Sequence, residues 1–289
     1  MLIFAHIPKS GGNSIFNNIQ DNYSDDEVIR YYAQPRGRRN PWPQKSGKGD
    51  SFLPRSNTLN YEWWPGSDVP HLSRLEDLPA EITDVRLLKQ LKIRFITGHF
   101  KDFAQVSCIL REHMKAKYFF SSRNPIDMCA SHYAMHIRAW QKFRRLGFSS
   151  PKVELPRQDR IGGDSLPKAK GFSIIEDWKS GWHLNFWLGS KVVRPLLFFS
   201  NSPKPDIKKA IKNVKKACFI FDCDDFAASF KKMEKDLGLK IKDYNLQKNL
   251  TKREEYLKID KESFSGFVKK HLAEDLEFYE ECKKISQNL

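Results

Sequence analysis

The sequence lacks two features that would define its class at once, a long apolar run and a cysteine framework. No apolar stretch in the 289 residues reaches the roughly 18 residues that span a bilayer, and no basic segment precedes the first apolar run. The five cysteines are scattered and show no CxxC spacing. We therefore expect no membrane span, no signal peptide, no metal site, reduced thiols and a cytoplasmic location.

Acidic residues are also scarce relative to basic ones. The chain has 50 Lys and Arg against 35 Asp and Glu, a formal charge of +15 and a pI near 9.5. Such an excess favours an anionic partner such as a nucleotide or a polyanionic glycan. A solvated basic surface without a partner is the alternative. No helix-turn-helix, zinc finger or RNA-binding signature is present, so we expect no nucleic-acid partner.

The first twenty residues read as a strand, a glycine turn and a helix. Leu2–Ile7 is a short apolar run that ends at Pro8, and apolar residues return at helical spacing after Ser14. Between them, Gly11 and Gly12 let the backbone approach a ligand closely. Helix-start amides and the charge of Lys9 suit a phosphate or sulfate group. A plain tight turn is the alternative interpretation.

The glycine turn does not fit the nucleoside triphosphatase pattern GxxxxGK[ST]. Lys9 precedes the two glycines instead of following them. An ordinary triphosphatase loop is therefore not predicted, although the anion site is.

Apolar runs alternate with helical patterns along the rest of the chain. This alternation predicts one α/β domain over residues 1–289, with a central parallel sheet flanked by helices. Two Pro- and Gly-rich segments interrupt it, an insertion at about 34–70 and a loop at about 151–171. The predicted strands are Leu2–Ile7, Ile93–Thr97, Lys117–Ser122, Leu196–Phe199 and Ala217–Phe221.

The predicted helices fill the spaces between these strands. Asn124 offers an N-cap and Pro125 a first helical residue for the longest of them. After the first helix, the residues up to the insertion read as a polar stretch without a strand. The predicted helices after the first are Glu81–Gln90, Asp102–Met114, a long helix from Pro125 to about Leu146, Phe172–Leu188, Asp225–Leu237 and Ser263–Ile285.

Polar side chains follow three of the predicted strands where each one ends. Lys9 and Ser10 follow the first strand, His99 the second and Arg123 the third. Ligands of open parallel sheets bind at the carboxyl ends of the strands. We therefore expect these side chains to converge on one site. By themselves, Arg123 and Ser131 are suited to binding a second phosphate. Alternatively, Arg123 pairs with a carboxylate and Ser131 only packs on a helix face.

Three motifs in this order resemble one enzyme family. HIPKSGGNS, then GHF, then SRNPIDMCASHY are similar to motifs of the sulfotransferases that use 3′-phosphoadenosine-5′-phosphosulfate. The nearest likeness is to the heparan sulfate and uronyl 2-O-sulfotransferase branch and its bacterial relatives. The resemblance implies a P-loop-like sulfotransferase fold and transfer of a sulfuryl group to a hydroxyl, on a carbohydrate acceptor, without a metal.

The resemblance also implies roles for individual residues. Lys9 would be catalytic and His99 would be the general base. Arg123 and Ser131 would hold the 3′-phosphate, and Thr251 and Lys252 would close over the adenosine end of the cofactor. The 5′-phosphosulfate would lie on Lys9, Ser10, Gly11, Gly12, Asn13 and Ser14.

Asn13 and Asn124 stand where the family more often has Thr and Asp, and the Trp-rich insertion has no recognised counterpart. These departures leave the acceptor open. Two other functions stay under consideration, a kinase-like phosphotransferase and a non-catalytic module that binds polyanions. The first would depend on ATP and Mg²⁺, and the second is supported by charge alone.

Overall fold

The computed structural model shows an α/β protein built on a five-stranded sheet in which every strand pair is parallel. The strand order is β2-β3-β1-β4-β5, so the first strand lies at the centre. This confirms the predicted parallel sheet with flanking helices. The strands are β1 Leu2–Ala5, β2 Val28–Tyr32, β3 Phe95–His99, β4 Lys117–Ser122 and β5 Phe219–Asp222.

Nine helices accompany the sheet in the part of the chain that the structure describes. They are α1 Gly12–Ile19, α2 Val85–Gln90, α3 Phe103–Met114, α4 over 125–132, α5 Pro195–Ser200, α6 Ile207–Val214, α7 Phe226–Leu237, α8 Lys261–His271 and α9 Ala273–Asn288. A 3₁₀ turn, Gln20–Asn22, follows α1. The structure describes residues 1–24, 27–32, 85–90, 92–100, 103–132, 188, 193–202, 204–245 and 261–289.

Alternation along the strands divides the core into two layers. Ile3 and Phe120 face one layer, whereas Phe4 and Phe119 face the other, and all four are buried. Helices α1 and α7 cover the second layer, and α3, α5, α6, α8 and α9 contribute to the first. A sheet buried on both faces requires the nearly continuous apolar strands that the sequence shows.

The bounds of three predicted strands differ slightly from the structure. β1 ends at Ala5 instead of Ile7, and β3 covers Phe95–His99 instead of residues 93–97. β4 has the predicted bounds, and β5 begins two residues later than predicted. The register pairs Ala5 with both Gly98 and Phe120, which places the ends of β1, β3 and β4 side by side.

The prediction of no strand after the first helix is wrong. Val28–Tyr32 forms the outer strand β2, paired in parallel with β3. Its β-branched and aromatic residues are typical of strands, and Arg30 interrupts the apolar pattern. The short run at a sheet edge gave too weak a signal against its polar surroundings.

The predicted strand Leu196–Phe199 is wrong, because these residues form the helix α5. Pro195 occupies its first turn and Asn201 ends it in a left-handed conformation. The four apolar residues are all buried, and Phe198 and Phe199 pack against Phe103 and Phe120. A helix that is buried all round has no polar face, so its sequence looks like that of a buried strand.

The closing helix is two helices instead of one. Leu272 is buried and non-helical, and it separates α8 from α9. Just after this break, Asp275 forms a buried ion pair with Arg194, with 2.7 Å between Nη2 and Oδ2.

Helix α6 was not predicted at all, although Ile207, Ala210 and Val214 have helical spacing after the N-cap residue Asp206.

Several sequence predictions fall outside the described residues. These are the insertion at 34–70, the loop at 151–171, the extension of α4 beyond 132, the helix over 172–187, and Thr251 and Lys252.

Candidate functional site

The turn after β1 lies between the ends of β3 and β4. The His6 amide continues the sheet pairing by donating to the Gly98 carbonyl at 3.0 Å. On the other side, the Ser10 hydroxyl lies 2.6 Å from that of Ser121. The residues predicted to follow three different strands are therefore brought to one edge of the sheet.

The turn itself is held in a strained, inward-folded conformation. Lys9 has φ +68°, a left-handed value that is uncommon for a residue with a Cβ. Ser10 is fully buried, and its hydroxyl donates to the Ile7 carbonyl at 2.6 Å. The Ser10 side chain thus fixes the shape of the turn from within, whereas Lys9 stays partly exposed.

Packing alone requires glycine at both positions of the pair. Gly11 has φ +75°, and a Cβ there would lie 2.6 Å from Phe226 Cζ and 3.3 Å from Cys223 Sγ. A Cβ on Gly12 would lie 1.8 Å from Nε2 of His6. The glycines therefore bring the turn against β5 and against His6, whether or not a ligand binds.

The amino end of α1 has no side-chain cap. Gly11 is the N-cap residue, its carbonyl accepts from the Ile15 amide at 3.1 Å, and no side chain caps this end of α1. The preceding helix amides have no acceptor inside the helix, and they carry the positive end of its dipole. Asn13 is partly exposed there, while Ser14 is buried. The uncapped first turn of α1 is a suitable place for a phosphate or sulfate oxygen.

Arg123 joins this turn from the end of β4. Its Nη1 donates to the Lys9 carbonyl at 2.7 Å, and the residue is partly exposed. A guanidinium has further N–H donors beside the one engaged here. Arg123 therefore both fastens the turn and adds a permanent positive charge to this edge of the sheet.

Cys223 holds the turn from the end of β5. Its Sγ donates to the Ser10 carbonyl at 3.0 Å. Burial raises the pKa of the Cys223 thiol well above its ordinary value, so the side chain remains a protonated donor at neutral pH. The thiol acts here as a structural contact and not as a nucleophile.

His99, the last residue of β3, has a defined tautomer. Its Nδ1 lies 2.7 Å from the His6 carbonyl oxygen, which can only accept, so Nδ1 carries the hydrogen. In the neutral ring, Nε2 then has the lone pair. Burial lowers the pKa of His99 to about 4, although the bond to His6 opposes this shift. His99 is therefore neutral at pH 7, as a proton acceptor must be.

Helix α4 begins as the sequence predicted. The Asn124 side chain accepts from the Ile126 amide at 2.9 Å, and Pro125 is the first helical residue. Ser131 lies on this helix and is 4 % exposed. Arg123 thus lies just before the first residue of α4 and Ser131 lies within the helix, as their spacing predicts.

Acidic groups at the end of β5 are engaged by neighbours. The Asp222 carboxylate accepts from the Asp224 amide at 2.9 Å, and the Tyr279 hydroxyl donates to Asp224.

Within the described ranges, no group of three or more His, Cys, Asp or Glu residues could hold a metal ion. Likewise, no helix of the described part is long and apolar enough to cross a membrane.

Sequence reasoning missed three contributors to this edge. The place of His6 in the first apolar run predicts a core histidine; it is buried, and its ring also lies 4.3 Å from the His99 ring, between centroids, and against Gly12. Ser121 and Cys223 were not singled out, although both bind Ser10. Alternation along an extended chain places His6 on the same face as Phe4, on which its ring stacks, and this was the available signal for its position. The contacts of Ser121 and Cys223 bridge more than a hundred residues, and no local pattern shows them.

Comparison with known proteins adds no relative: no family model, no curated protein and no solved structure matches the chain.

Proposed function

We propose that the protein is a sulfotransferase that moves a sulfuryl group from 3′-phosphoadenosine-5′-phosphosulfate to a hydroxyl group, on a carbohydrate acceptor. The observation that carries the proposal is the meeting of three chain segments at one sheet edge. There, Arg123 bonds to the Lys9 carbonyl and His99 bonds to the His6 carbonyl. The Arg123 guanidinium and the neutral His99 imidazole are therefore both fixed to the turn after β1.

The residues at this edge suit the chemistry of the nucleotide. The uncapped start of α1 offers amides to the 5′-phosphosulfate, with Lys9, Gly12 and Asn13 around it. Arg123 and Ser131 would hold the 3′-phosphate, as the resemblance implies. Ser10 contributes by fixing the turn, since its hydroxyl is already bonded within the protein. Thr251 and Lys252 remain sequence predictions for the adenosine end.

When bound, the nucleotide supplies an activated sulfuryl group. The protein then has to position the acceptor and take its proton. Nε2 of His99 would accept the proton of the attacking hydroxyl, because Nδ1 is committed to the His6 carbonyl. Lys9 and the α1 amides would stabilise negative charge that develops between the sulfuryl group and the nucleotide. Such positioning and electrostatics need no metal ion in this proposal.

The proposal includes a P-loop-like sulfotransferase fold, supported by the glycine turn after the central strand β1. It also places the protein in a reducing, cytoplasm-like compartment, which is supported by the five cysteines all being free thiols. An acidic acceptor is supported by the charge of +15.

The test is a transfer assay with ³⁵S-labelled 3′-phosphoadenosine-5′-phosphosulfate and a panel of uronic acid-containing oligosaccharides, simple alcohols and phenols. We expect EDTA-resistant labelling of a carbohydrate acceptor and loss of labelling in Lys9→Ala. Parallel reactions with γ-³²P-ATP and Mg²⁺ test the kinase-like alternative. Labelling only in those reactions would replace the proposal, and labelling in neither would favour the non-catalytic module.

A further inference from the structure

We propose that His6 is a positioning residue that couples the anion-binding turn to the proton acceptor His99. The inference rests on the proposed function, because it assigns a role within that same site. His6 directly follows the buried strand β1, and from its sequence position alone it would be taken for a histidine that only packs in the core. His6 is 8 % exposed and lies between the two groups that the reaction would have to align.

The backbone of His6 fixes the orientation of His99. The His6 amide donates to the Gly98 carbonyl at 3.0 Å, and the His6 carbonyl accepts from Nδ1 of His99 at 2.7 Å. Both bonds reach adjacent residues of β3 from one residue of the neighbouring segment. Together they hold the His99 ring in one plane and leave the lone pair on Nε2.

The ring of His6 supports the turn from the opposite direction. A Cβ on Gly12 would approach Nε2, Cδ2 and Cε1 of His6 within 1.8, 1.9 and 2.5 Å, so the ring lies directly against the Gly12 backbone. On its other sides, the ring lies 4.3 Å from the His99 ring and 5.5 Å from Phe4, onto which it stacks. The ring is thus a rigid spacer between the first residue of α1 and His99.

This spacer has a definite consequence for a bound nucleotide. An anion bound by the first turn of α1 would accept hydrogen bonds from backbone amides next to Gly12, and Gly12 packs against the His6 ring. The His6 ring also contacts His99. The His6 side chain therefore sets the distance between the bound anion and Nε2 of His99. Removing the ring therefore affects the alignment of reacting groups more than the affinity for the nucleotide.

The experiment measures transfer and binding in His6→Ala, which keeps the carbonyl bond but removes the ring. Because misplacing a reacting group by about 1 Å can cost about 100-fold in rate, we expect kcat to fall at least about tenfold. The Kd for 3′-phosphoadenosine-5′-phosphate should change much less. His6→Gln, which reaches toward Gly12, should recover part of the rate, and the exposed His113→Ala is the matched control. Wild-type kcat in His6→Ala would overturn the proposal.

A thermal double-mutant cycle tests the contact without any substrate. Gly12→Ala should lower the Tm strongly in the native background, where its methyl group meets the His6 ring. In the His6→Ala background, the same substitution should lower the Tm much less, because the space is vacant. An equal loss in both backgrounds would overturn the proposal even if His6→Ala itself folds poorly. If the wild-type protein bound no nucleotide, the proposed function would fail, and this cycle would still decide whether His6 supports the turn.

Discussion

Two regions of the molecule hold polar side chains in opposite ways. Under α5 and α9, Arg194 and Asp275 are 4 % and 2 % exposed, and they satisfy each other through three hydrogen bonds of 2.7 to 3.0 Å. At the carboxyl edge of the sheet, His99 and Arg123 instead bond to the backbone carbonyls of His6 and Lys9. The first arrangement is closed by two opposite charges, whereas in the second a backbone carbonyl fixes the orientation of each side chain.

This difference distinguishes a structural polar cluster from the proposed site. A charge pair in the core is costly to disrupt, but its hydrogen-bonding groups are already used and do not bind a ligand. A histidine or arginine anchored on a carbonyl keeps its acid–base or charge function while its geometry is fixed. The following predictions exploit that contrast: substitutions at the sheet edge should change activity, and substitutions at the buried pair should change stability.

The largest effect is expected for His99→Ala. Loss of a positioned general base costs about 100- to 10,000-fold in rate, so kcat should fall within that range. The Kd for 3′-phosphoadenosine-5′-phosphate should stay within about threefold, because the proposed role of His99 is proton transfer and not nucleotide binding. Steady-state transfer kinetics and calorimetry measure the two quantities. Full activity in this variant would remove His99 from the mechanism.

Next is the buried ion pair. Arg194→Met leaves the Asp275 carboxylate buried without its partner and should lower the free energy of unfolding by about 3–5 kcal/mol. The double variant Arg194→Met/Asp275→Leu should lose less, since no charge is then left unpaired. Urea denaturation followed by circular dichroism provides the values. A double variant less stable than the single one would show that the pair is not closed in this way.

Arg123→Ala should reduce nucleotide affinity by about 10- to 100-fold, because a hydrogen bond to a charged group contributes about 1.5–3 kcal/mol. Arg123→Lys keeps the charge but not the planar fork and should recover only part of the loss. Calorimetric titration with 3′-phosphoadenosine-5′-phosphate measures both variants. Lys212→Ala removes a cation from the exposed face of α6 and is the matched control. Equal losses at Arg123 and Lys212 would indicate a non-specific effect of net charge.

The smallest effect is a displaced pH dependence. Burial lowers the pKa of His99 to about 4, so kcat/KM should stay nearly constant from pH 7 to 5 and fall only below that. The unfolded chain, with an ordinary histidine pKa near 6.5, binds more protons between about pH 4 and 6.5. The contribution of His99 to the free energy of unfolding should therefore rise with pH across this window. A decline in kcat/KM centred near pH 6.5 would contradict the lowered pKa of His99.

The sequence was informative wherever local chemistry decides the structure. The bounds of β4 and the cap at Asn124 follow from an apolar run and an Asn-Pro pair, and both were predicted. The helix α5 was not, because its residues are buried on all sides and their pattern carries no helical period.

The same limit applies to the site. Lys9, His99 and Arg123 were predictable, since each follows an apolar run and parallel strands end at one edge. The proposed role of His6 was not, because it depends on a contact with Gly12 that only the fold creates. The bond from Cys223 to Ser10 likewise joins residues 213 positions apart.

The most direct test of the central claim is an isothermal titration of the wild-type protein with 3′-phosphoadenosine-5′-phosphate in EDTA. We predict saturable one-to-one binding that weakens in Lys9→Ala and Arg123→Ala, with little competition from ATP. Absence of binding heat by the wild-type protein, or equal affinity for ATP, would contradict the claim that the turn after β1 holds a 3′-phosphorylated, sulfated nucleotide.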